Sequence, residues 1–582
     1  MKLIEKLDTS LLDAINIFSK KLEWSRRLPI YEIHKWWARR YSGVSRIILA
    51  LLEMEDESLR NIKNPSDFIQ QIYYNPPRVS EKRMLDMFCG GGTFALEAIK
   101  LGYEVYAIDI NPLSTLILES IKLLPQLNIN EIKDVIMRAY TKVSNYWITK
   151  CIKGHEAIII HTFLAWKNSL NKLQIKFNKI REGKIKIYYC EKCNIILKSY
   201  NELNSCLYCN NEFSNKDIKN IDYYKICPFA LEYYCYTCSK REIKSLDEND
   251  LTIWNSFKSD NYILKIPLLK ETKRLIKKGI KNFGELLTPR QYLTFRTILE
   301  EGKKSKYFNL IKLIVSDSLR TCSLLSIYSA RYGKVTPAFV IKSYWLPPQP
   351  VELNPIAFFI KDSKIYPLGR GNVISCLRKI EKAQKYIFAE DLKLDNLKIF
   401  NGASQDILPK IKCKFDLIFT DPPYLDYQIY SELSIFNLAL INDLNEKKLK
   451  ELIEKEIVVR NLKNKIELEK YFKNLEYIFR LAVKKLKKEG KILITFHHYD
   501  FNMIYRFLKI FKNLDLYLNA IYPIIGESSG RMIKRRLYLD LLFVLSFEQK
   551  DTHFAYTNFI ITKYDKLLQS YIPILIELYN KY

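Results

Sequence analysis

The stretch Arg83–Gly92, which reads RMLDMFCGGG, decides the fold that we expect for this chain of 582 residues. It begins as a short apolar run, which is typical of a buried strand, and its three consecutive glycines predict a tight turn directly after that strand. Thr93–Ile99 then places apolar residues at helical spacing. A strand, a glycine turn and a helix in this order open a doubly wound α/β sheet.

A second strand extends this unit. Glu104–Ile108 is mostly apolar and is followed by Asp109, which stands 19 residues after Gly90. From the end of that strand a carboxylate can accept hydrogen bonds from both hydroxyls of a ribose, while glycines let a nucleoside approach the backbone closely. The two features together fit an adenosine cofactor, although a tight turn without a ligand also explains the glycines. We predict cofactor contacts from Asp86, Phe88, Gly90, Gly92 and Asp109.

The sharpest chemical signal is Phe415–Tyr424, FDLIFTDPPY, a short strand that ends in Asp-Pro-Pro-Tyr. Two consecutive prolines fix the backbone, so that a carbonyl and the preceding carboxylate point into the cleft above the sheet. Two such acceptors can pull the hydrogens of an exocyclic amine toward tetrahedral geometry, and Tyr424 offers a ring face for an extruded base. Alternatively, the prolines only end the strand and Tyr424 packs. We predict catalytic roles for Asp421, Pro422, Pro423 and Tyr424.

Regular α/β alternation from Leu397 onward predicts the second half of the sheet. Apolar residues at helical spacing predict a helix over Tyr471–Lys488, and Gly490 stands where a left-handed C-terminal cap belongs. Further strands are expected at Lys491–Phe496 and Tyr538–Phe547, and a helical tail after Asp551. We therefore expect an α/β fold with a doubly wound, seven-stranded sheet built from residues about 25 to 150 and 395 to 550.

The cysteines are clustered, with seven of the twelve between Cys190 and Cys238. Two Cys-x2-Cys pairs separated by twelve residues are typical of a structural zinc site of four thiolates, here Cys190, Cys193, Cys206 and Cys209. Three more thiols could contribute to a second site but supply too few ligands: Cys227, Cys235 and Cys238. The remaining cysteines, Cys151 among them, are interpreted as small buried apolar residues.

Composition favours a polyanionic partner. Lys and Arg total 93 against 64 Asp and Glu, a formal net charge of +29, which attracts nucleic acid through counterion release. Abundant Lys, Ile, Asn and Tyr also fit a coding bias unrelated to function. The sequence has no run of about 18 uncharged apolar residues and no signal-peptide pattern, so we expect a cytoplasmic protein without a membrane partner.

Several segments resemble those of adenine-specific DNA methylases that contain a zinc ribbon, in the Asp-Pro-Pro-Tyr class of amino-methylating enzymes. The glycine turn, Asp109 and Asp421–Tyr424 match the family's motifs I, II and IV. Four further segments carry the closer resemblance, which spans roughly residues 25 to 547: Ile33–Arg40, Leu287–Gln291, Val351–Pro355 and Tyr430–Ser434.

The resemblance implies a transferase dependent on S-adenosylmethionine that methylates DNA at adenine N6, as in restriction-modification. It implies a basic, aromatic N-terminal segment that helps to hold the methionine part of the cofactor, with His34 and Arg39 as candidates. Methylation of cytosine N4, RNA or a protein amide stays open. So does a catalytically silent DNA-binding subunit of a defence complex, and other subunits of a defence or modification system are conceivable partners.

We expect five segments along the chain. Residues 1–150 form the cofactor-binding half of the methyltransferase domain, and residues 395–550 form its catalytic half. Between them lie a zinc-ribbon insertion at 151–285 and a linking or target-recognition region at 286–394. Residues 551–582 form a tail.

Overall fold

The structure is a computed structural model that describes residues 2–25, 27–55, 62–168, 173–213, 221–257, 272–337, 344–441, 446–526 and 537–581. The chain divides into two compact units. The first contains Met1–Pro125, Ala383–Ser431 and Asn445–Tyr582, and the second contains Gln126–Lys382 and Glu432–Leu444.

The first unit is built on an eight-stranded sheet. Its strands in chain order are β1 (Arg83–Asp86), β2 (Glu104–Asp109), β3 (Leu397–Asn401), β4 (Phe415–Thr420), β5 (Leu486–Phe496), β6 (Tyr517–Ile525), β7 (Leu539–Ser546) and β8 (His553–Phe554). Their spatial order is β3-β2-β1-β4-β5-β7-β6-β8. The first five pair in parallel, whereas β7 runs antiparallel to both β5 and β6. The sheet is therefore mixed but mainly parallel.

The register of β1 and β4 brings two predicted motifs side by side. Leu85 pairs with Ile418 in a parallel ladder, so both strands end at the same edge of the sheet. There the Thr420 hydroxyl donates a hydrogen bond of 2.9 Å to Asp86 Oδ1. The glycine turn after β1 and the Asp-Pro-Pro-Tyr segment after β4 consequently begin next to each other.

The first unit also contains helices between and beside these strands in the chain. They are Thr9–Ser25, Ser42–Glu53, Pro65–Tyr74, Thr93–Leu101, Pro112–Leu123, Ser404–Ile407, Glu446–Lys455, Lys465–Val483, Phe501–Lys512, Lys563–Ser570 and Ile572–Lys581. Two more helices, Val373–Ala389 and Tyr430–Ile441, each contain a boundary between the units. Asn111 caps Pro112–Leu123 by accepting a hydrogen bond from the Leu113 amide, as expected for Asn before a proline at the first helical position.

The prediction that Gly490 caps a helix was wrong. The helix ends at Val483, and β5 already begins at Leu486, which is buried and pairs with Phe415. Gly490 is not one of the glycines with a positive φ, so its backbone is not left-handed. It lies inside β5, at the point where the pairing with β4 shifts register between Phe415 and Leu417. The helical spacing of apolar residues extended past Val483 in the sequence because Leu486 is also buried, but it is buried in the sheet and not on the helix.

The second unit contains several smaller sheets. A six-stranded sheet comprises Ile148–Lys150, Glu156–Asn168, Leu173–Gln174, Ile221–Cys235, Lys240–Ser245 and Val351–Leu353. A three-stranded sheet comprises Lys179–Arg181, Lys186–Cys190 and Ile195–Ser199, and two hairpins are formed by Ser326–Ser329 with Lys334–Pro337 and Phe358–Lys361 with Lys364–Pro367. Its helices are Ile129–Val143, Glu248–Ser256, Lys273–Ile276, Pro289–Gly302 and Phe308–Leu319.

Within the described ranges, none of the helices combines the length and the apolar character that crossing a lipid bilayer requires.

Candidate active site and cysteine clusters

A cleft lies at the carboxyl ends of β1, β2 and β4, where doubly wound sheets bind their ligands. All of its lining residues belong to the first unit. The space between its walls, including the part that is open to solvent, is about 860 Å³. Its lining includes Trp36, Arg39, Arg40, Asp86, Phe88, Gly90, Gly91, Asp109, Asp421, Pro423 and Tyr430.

The glycine turn and Asp109 are joined directly. The amide of Gly90 donates to Asp109 Oδ2 at 2.7 Å, and the amide of Asn111 donates to Asp109 Oδ1 at 2.8 Å. Burial raises the pKa of Asp109 to about 6 even though both amides favour the carboxylate. Each carboxylate oxygen keeps a second lone pair, so Asp109 can still accept hydrogen bonds from a ligand in the cleft.

Gly92 has a different place from that expected. It does not line the cleft but begins the helix Thr93–Leu101 with a left-handed backbone, φ +77°. A Cβ at this position would stand 2.3 Å from Leu118 Cδ2. The glycine is therefore required for close packing between the turn and the helix Pro112–Leu123.

Replacing Gly92 with alanine should destabilise the first unit by about 2 to 5 kcal/mol, from left-handed strain and overpacking together. Urea unfolding followed by tryptophan fluorescence measures the change. In a Leu118→Ala background the same substitution should cost only about 1 to 2 kcal/mol, because the overlap is removed. Equal costs in both backgrounds would show that the contact with Leu118 is not the cause.

Asp86 and Phe88 both line the cleft. Asp86 is 1% exposed, and burial raises its pKa to about 8 despite the hydrogen bond from Thr420. A cationic ligand beside this carboxyl would favour its ionised form.

The N-terminal segment supplies Arg39, which covers the turn. Its Nη1 donates to the Gly91 carbonyl at 2.5 Å, and a Cβ on Gly91 would stand 2.7 Å from its guanidinium carbon. Arg39 Nη2 is buried and has no hydrogen-bond partner among the described residues, and burial lowers the pKa of this guanidinium to about 10. An unpartnered buried donor on a residue that lines the cleft fits an anionic group of a ligand.

Two other residues of the segment Ile33–Arg40 have different environments. Trp36 lines the cleft and stacks on Tyr430, with ring centroids 5.4 Å apart and planes inclined by 7°. His34 does not line it: the side chain is 1% exposed, and its Nδ1 lies 2.7 Å from the Lys35 carbonyl. The structure thus places Arg39, but not His34, at the predicted cofactor cleft.

Asp421 is held by an arginine from the far end of the chain. Arg40 Nε donates to Asp421 Oδ2 at 2.6 Å and Arg40 Nη2 donates to Asp421 Oδ1 at 2.7 Å, a bidentate pair. Thr495 Oγ1 also donates to Oδ1 at 2.6 Å. Arg40 Nη1 pairs with Asp540. Burial by itself would lower the pKa of Arg40, but Asp421 and Asp540 raise it well above its usual value.

Tyr424 is only 8% exposed and belongs to this cluster. Its hydroxyl donates to Asp421 and accepts from Arg40. The rings of Phe496 and His497 pack against it at steep angles, with centroids 5.1 and 4.4 Å away. Tyr424 and Pro422 are absent from the cleft lining, whereas Asp421 and Pro423 line it. In this conformation the tyrosine ring therefore does not line the cleft, unlike the expected base platform.

Arg40 and Thr495 contact Asp421, and Asp540 pairs with Arg40. Sequence reasoning included Arg40 only in the segment expected to hold the cofactor and gave no role to Thr495 or Asp540. It also missed Ala403–Gln405, which follows β3 and lines the cleft. Ala403–Gln405 did carry one signal, its position directly after β3, because the carboxyl ends of parallel strands meet at one edge.

The structure brings the four predicted zinc ligands together in the second unit. The donor atoms of Cys190, Cys193, Cys206 and Cys209 all lie within 4.8 Å of one another. Cys190 Sγ and Cys209 Sγ are 3.6 Å apart, and Cys193 Sγ and Cys206 Sγ are 3.9 Å apart. Four thiolates around zinc at about 2.3 Å would have edges of about 3.8 Å, so this group could hold a metal ion.

A second group of possible metal ligands differs from the three thiols that the sequence suggested. Cys235 and Cys238 lie with Cys151 and His155, and not with Cys227. The interpretation of Cys151 as a simple apolar residue was therefore incomplete, because its partners come from a distant hairpin.

Comparison with known proteins identifies a family match for part of the chain. Residues 66–253 match the family model of the D12 class N6 adenine-specific DNA methyltransferases, which confirms for this segment the predicted resemblance to adenine-specific DNA methylases. The segment is about a third of the chain; it includes the glycine turn, Asp109 and both cysteine groups but ends before Asp421. No curated protein matches the chain.

Proposed function

We propose that this chain transfers a methyl group from S-adenosylmethionine to the exocyclic amino nitrogen of a DNA base, with adenine N6 as the acceptor. One observation carries the proposal: the glycine turn, Asp109, Asp421 and Pro423 line the same cleft. The match of residues 66–253 to adenine-specific DNA methyltransferases supports both the reaction and the base. The net charge of +29 suits DNA as the partner.

The strand order supports a methyltransferase sheet of seven strands with one short addition. β3-β2-β1-β4-β5 reproduces the order of a doubly wound sheet, and β7 and β6 complete it with β7 antiparallel. β8 has two residues and extends the edge. The cleft lies beside β1 and β4, where such sheets place the reacting groups.

The chain's own residues fit the cofactor. Asp109 offers acceptors for ribose hydroxyls, Arg39 Nη2 offers a buried donor for a carboxylate, and Asp86 offers a carboxyl for a cation. When bound, the cofactor supplies an electrophilic methyl group on a sulfonium.

Asp421 is the candidate acceptor for the amine. Its Oδ1 accepts from Arg40, Thr495 and Tyr424, while Oδ2 accepts only from Arg40 among the described hydrogen bonds. The remaining lone pair of Oδ2 can therefore accept a hydrogen bond from an amino group in the cleft. Such a bond increases the electron density on a nitrogen whose lone pair is otherwise delocalised into the ring.

Cofactor binding should tighten as the pH rises from 6 toward 8. Because burial raises the pKa of Asp86 to about 8, this carboxyl is largely protonated at neutral pH. A sulfonium ligand favours its ionised form, so binding should release a proton. Calorimetry in buffers of different ionisation enthalpy measures that release, which should disappear in Asp86→Asn. The same proton release and pH slope in both proteins would rule out Asp86 as the linked group.

Transfer of a radiolabelled methyl group tests the function. The full chain is incubated with labelled S-adenosylmethionine and, separately, unmethylated duplex DNA, RNA and a protein mixture. We expect label in DNA and N6-methyladenine in its hydrolysate. N4-methylcytosine instead would change the base, and label only in RNA or protein would overturn the DNA proposal. If the chain binds DNA but labels neither DNA, RNA nor protein, the result would favour a scaffold subunit.

We also propose that Cys190, Cys193, Cys206 and Cys209 hold a structural zinc ion. Four protein ligands leave no open coordination position for catalysis. The two pairs are contributed by the Lys186–Cys190 and Ile195–Ser199 hairpin and by the turn around Cys206.

A further inference from the structure

Two hairpin turns lie side by side at one end of the six-stranded sheet. The turn Cys151–His155 joins Ile148–Lys150 to Glu156–Asn168, and the turn after Cys235 joins Ile221–Cys235 to Lys240–Ser245. Ile158 pairs with Ile148 on one side and with Tyr234 on the other. The register therefore places the two turns next to each other.

Each turn contributes two metal-binding side chains. The donor atoms of Cys151, His155, Cys235 and Cys238 all lie within 4.8 Å of one another. His155 Nδ1 is 3.7 Å from Cys151 Sγ and 3.3 Å from Cys238 Sγ. Ligands placed at about 2.1 Å for nitrogen and 2.3 Å for sulfur around a tetrahedral zinc would be separated by about 3.6 to 3.8 Å. The first observed separation falls in that range, and the second is 3.3 Å, shorter than the range by about 0.3 Å.

We propose that these four residues form a second zinc site, with three thiolates and one imidazole. Backbone amides already face two of the sulfurs: Lys153 N is 3.3 Å from Cys151 Sγ, and Cys238 N is 3.4 Å from Cys235 Sγ. Amide donors aimed at sulfur stabilise the thiolate form that a metal requires. Three thiols and an imidazole at one point also suit a metal better than a disulfide, which would leave one thiol unpaired.

Cys227 cannot complete this site. It precedes Cys235 by eight residues on the same strand and pairs with Ala165. At about 3.3 Å per residue that distance is about 26 Å along the strand. His155 takes the fourth position instead, which the sequence pattern of cysteines alone could not show.

The second zinc has a structural role. All four ligand positions are filled by protein, and the site closes both hairpins over a buried cluster that includes Trp147, Ile159, Leu231 and Tyr233. Binding joins positions 151 and 235, so metal affinity contributes directly to the folding of this sheet.

Zinc analysis of the full chain, purified without chelator, tests the proposal independently of activity. Elemental analysis should give two zinc ions per chain for the wild type, one for Cys235→Ser and one for Cys209→Ser. The matched control Cys227→Ser lies on the same strand as Cys235 and should keep two. One zinc in the wild type that Cys235→Ser also keeps, or two in Cys235→Ser, would overturn the second site.

His155→Cys provides a second test if Cys235→Ser does not fold. This variant should keep two metal ions. In the cobalt-substituted wild type, one ion should have three sulfur ligands and one nitrogen ligand, whereas both ions in the variant should have four sulfur ligands, so the absorption spectrum should change. An unchanged cobalt spectrum would show that His155 is not a ligand. A Cys235–Cys238 disulfide in the wild type, detected by mass spectrometry, would equally contradict the proposal.

Discussion

Asp421→Asn is expected to lower the rate of methyl transfer to DNA by about 10³-fold, while the affinity for S-adenosylmethionine changes little. Asparagine keeps the shape of the side chain but removes the negative charge that faces the amine, and the loss of one preorganised electrostatic group typically costs about 10²- to 10³-fold in rate. The bidentate contact with Arg40 is weakened as well, which adds to the loss.

Single-turnover labelling of duplex DNA measures this rate, and calorimetry measures cofactor binding. Asp426→Asn is the matched control because Asp426 is an exposed carboxylate five residues further along the same loop. It should leave the rate within about twofold of wild type, as is usual for a surface substitution. If both variants retain full activity, Asp421 does not contact the amine and the proposed chemistry at β4 fails.

Arg40→Ala is expected to destabilise the first unit by about 3 to 5 kcal/mol, the usual cost of removing one partner from a buried ion pair. Arg40 is 8% exposed and pairs with both Asp421 and Asp540. Burial would otherwise raise the pKa of Asp540, but Arg40 and His497 hold it below its usual value. Without Arg40, two carboxylates would share an enclosed site without that counter-charge.

Denaturant unfolding at neutral pH measures this cost. Adding Asp540→Asn to Arg40→Ala should recover part of the stability, because one uncompensated charge is then removed. Arg480→Ala is the control: Arg480 forms an ion pair with Glu476 at 2.8 Å but is 52% exposed, so its loss should cost at most about 1 kcal/mol. Equal losses for Arg40→Ala and Arg480→Ala would mean that the buried pair is not important for stability.

The positions of Asp421 and Arg40 differ greatly in how well they can be predicted from the sequence. Asp421 stands in a conspicuous local pattern after an apolar strand, so its position at the edge of the sheet could be predicted. Arg40 lies 381 residues away in a basic, aromatic segment whose contacts no local pattern specifies. Its role became apparent only when the folded chain placed it beside β4.

The same distinction applies to the cysteines. Cys190–Cys193 and Cys206–Cys209 are close in sequence, and each short pair turns both sulfurs toward one point. The second group combines a Cys-x3-His turn with a Cys-x2-Cys turn about 80 residues later. Their meeting depends on the register between Glu156–Asn168 and Ile221–Cys235, which is a property of strand pairing.

The amino-acid sequence by itself determined the strand, glycine turn and helix around Gly90, the acidic end of β2, the Asp-Pro-Pro-Tyr end of β4 and the first group of four cysteines. These features are local, because backbone conformation and side-chain direction over a few residues follow from glycine, proline and the apolar period. Tertiary structure alone decided the Arg40 and Asp540 contacts, the burial of Tyr424, the strand position of Gly490 and the pairing of Cys151 and His155 with Cys235 and Cys238. Each of these depends on which distant segments become neighbours, and that is fixed by burial and strand register across the whole sheet.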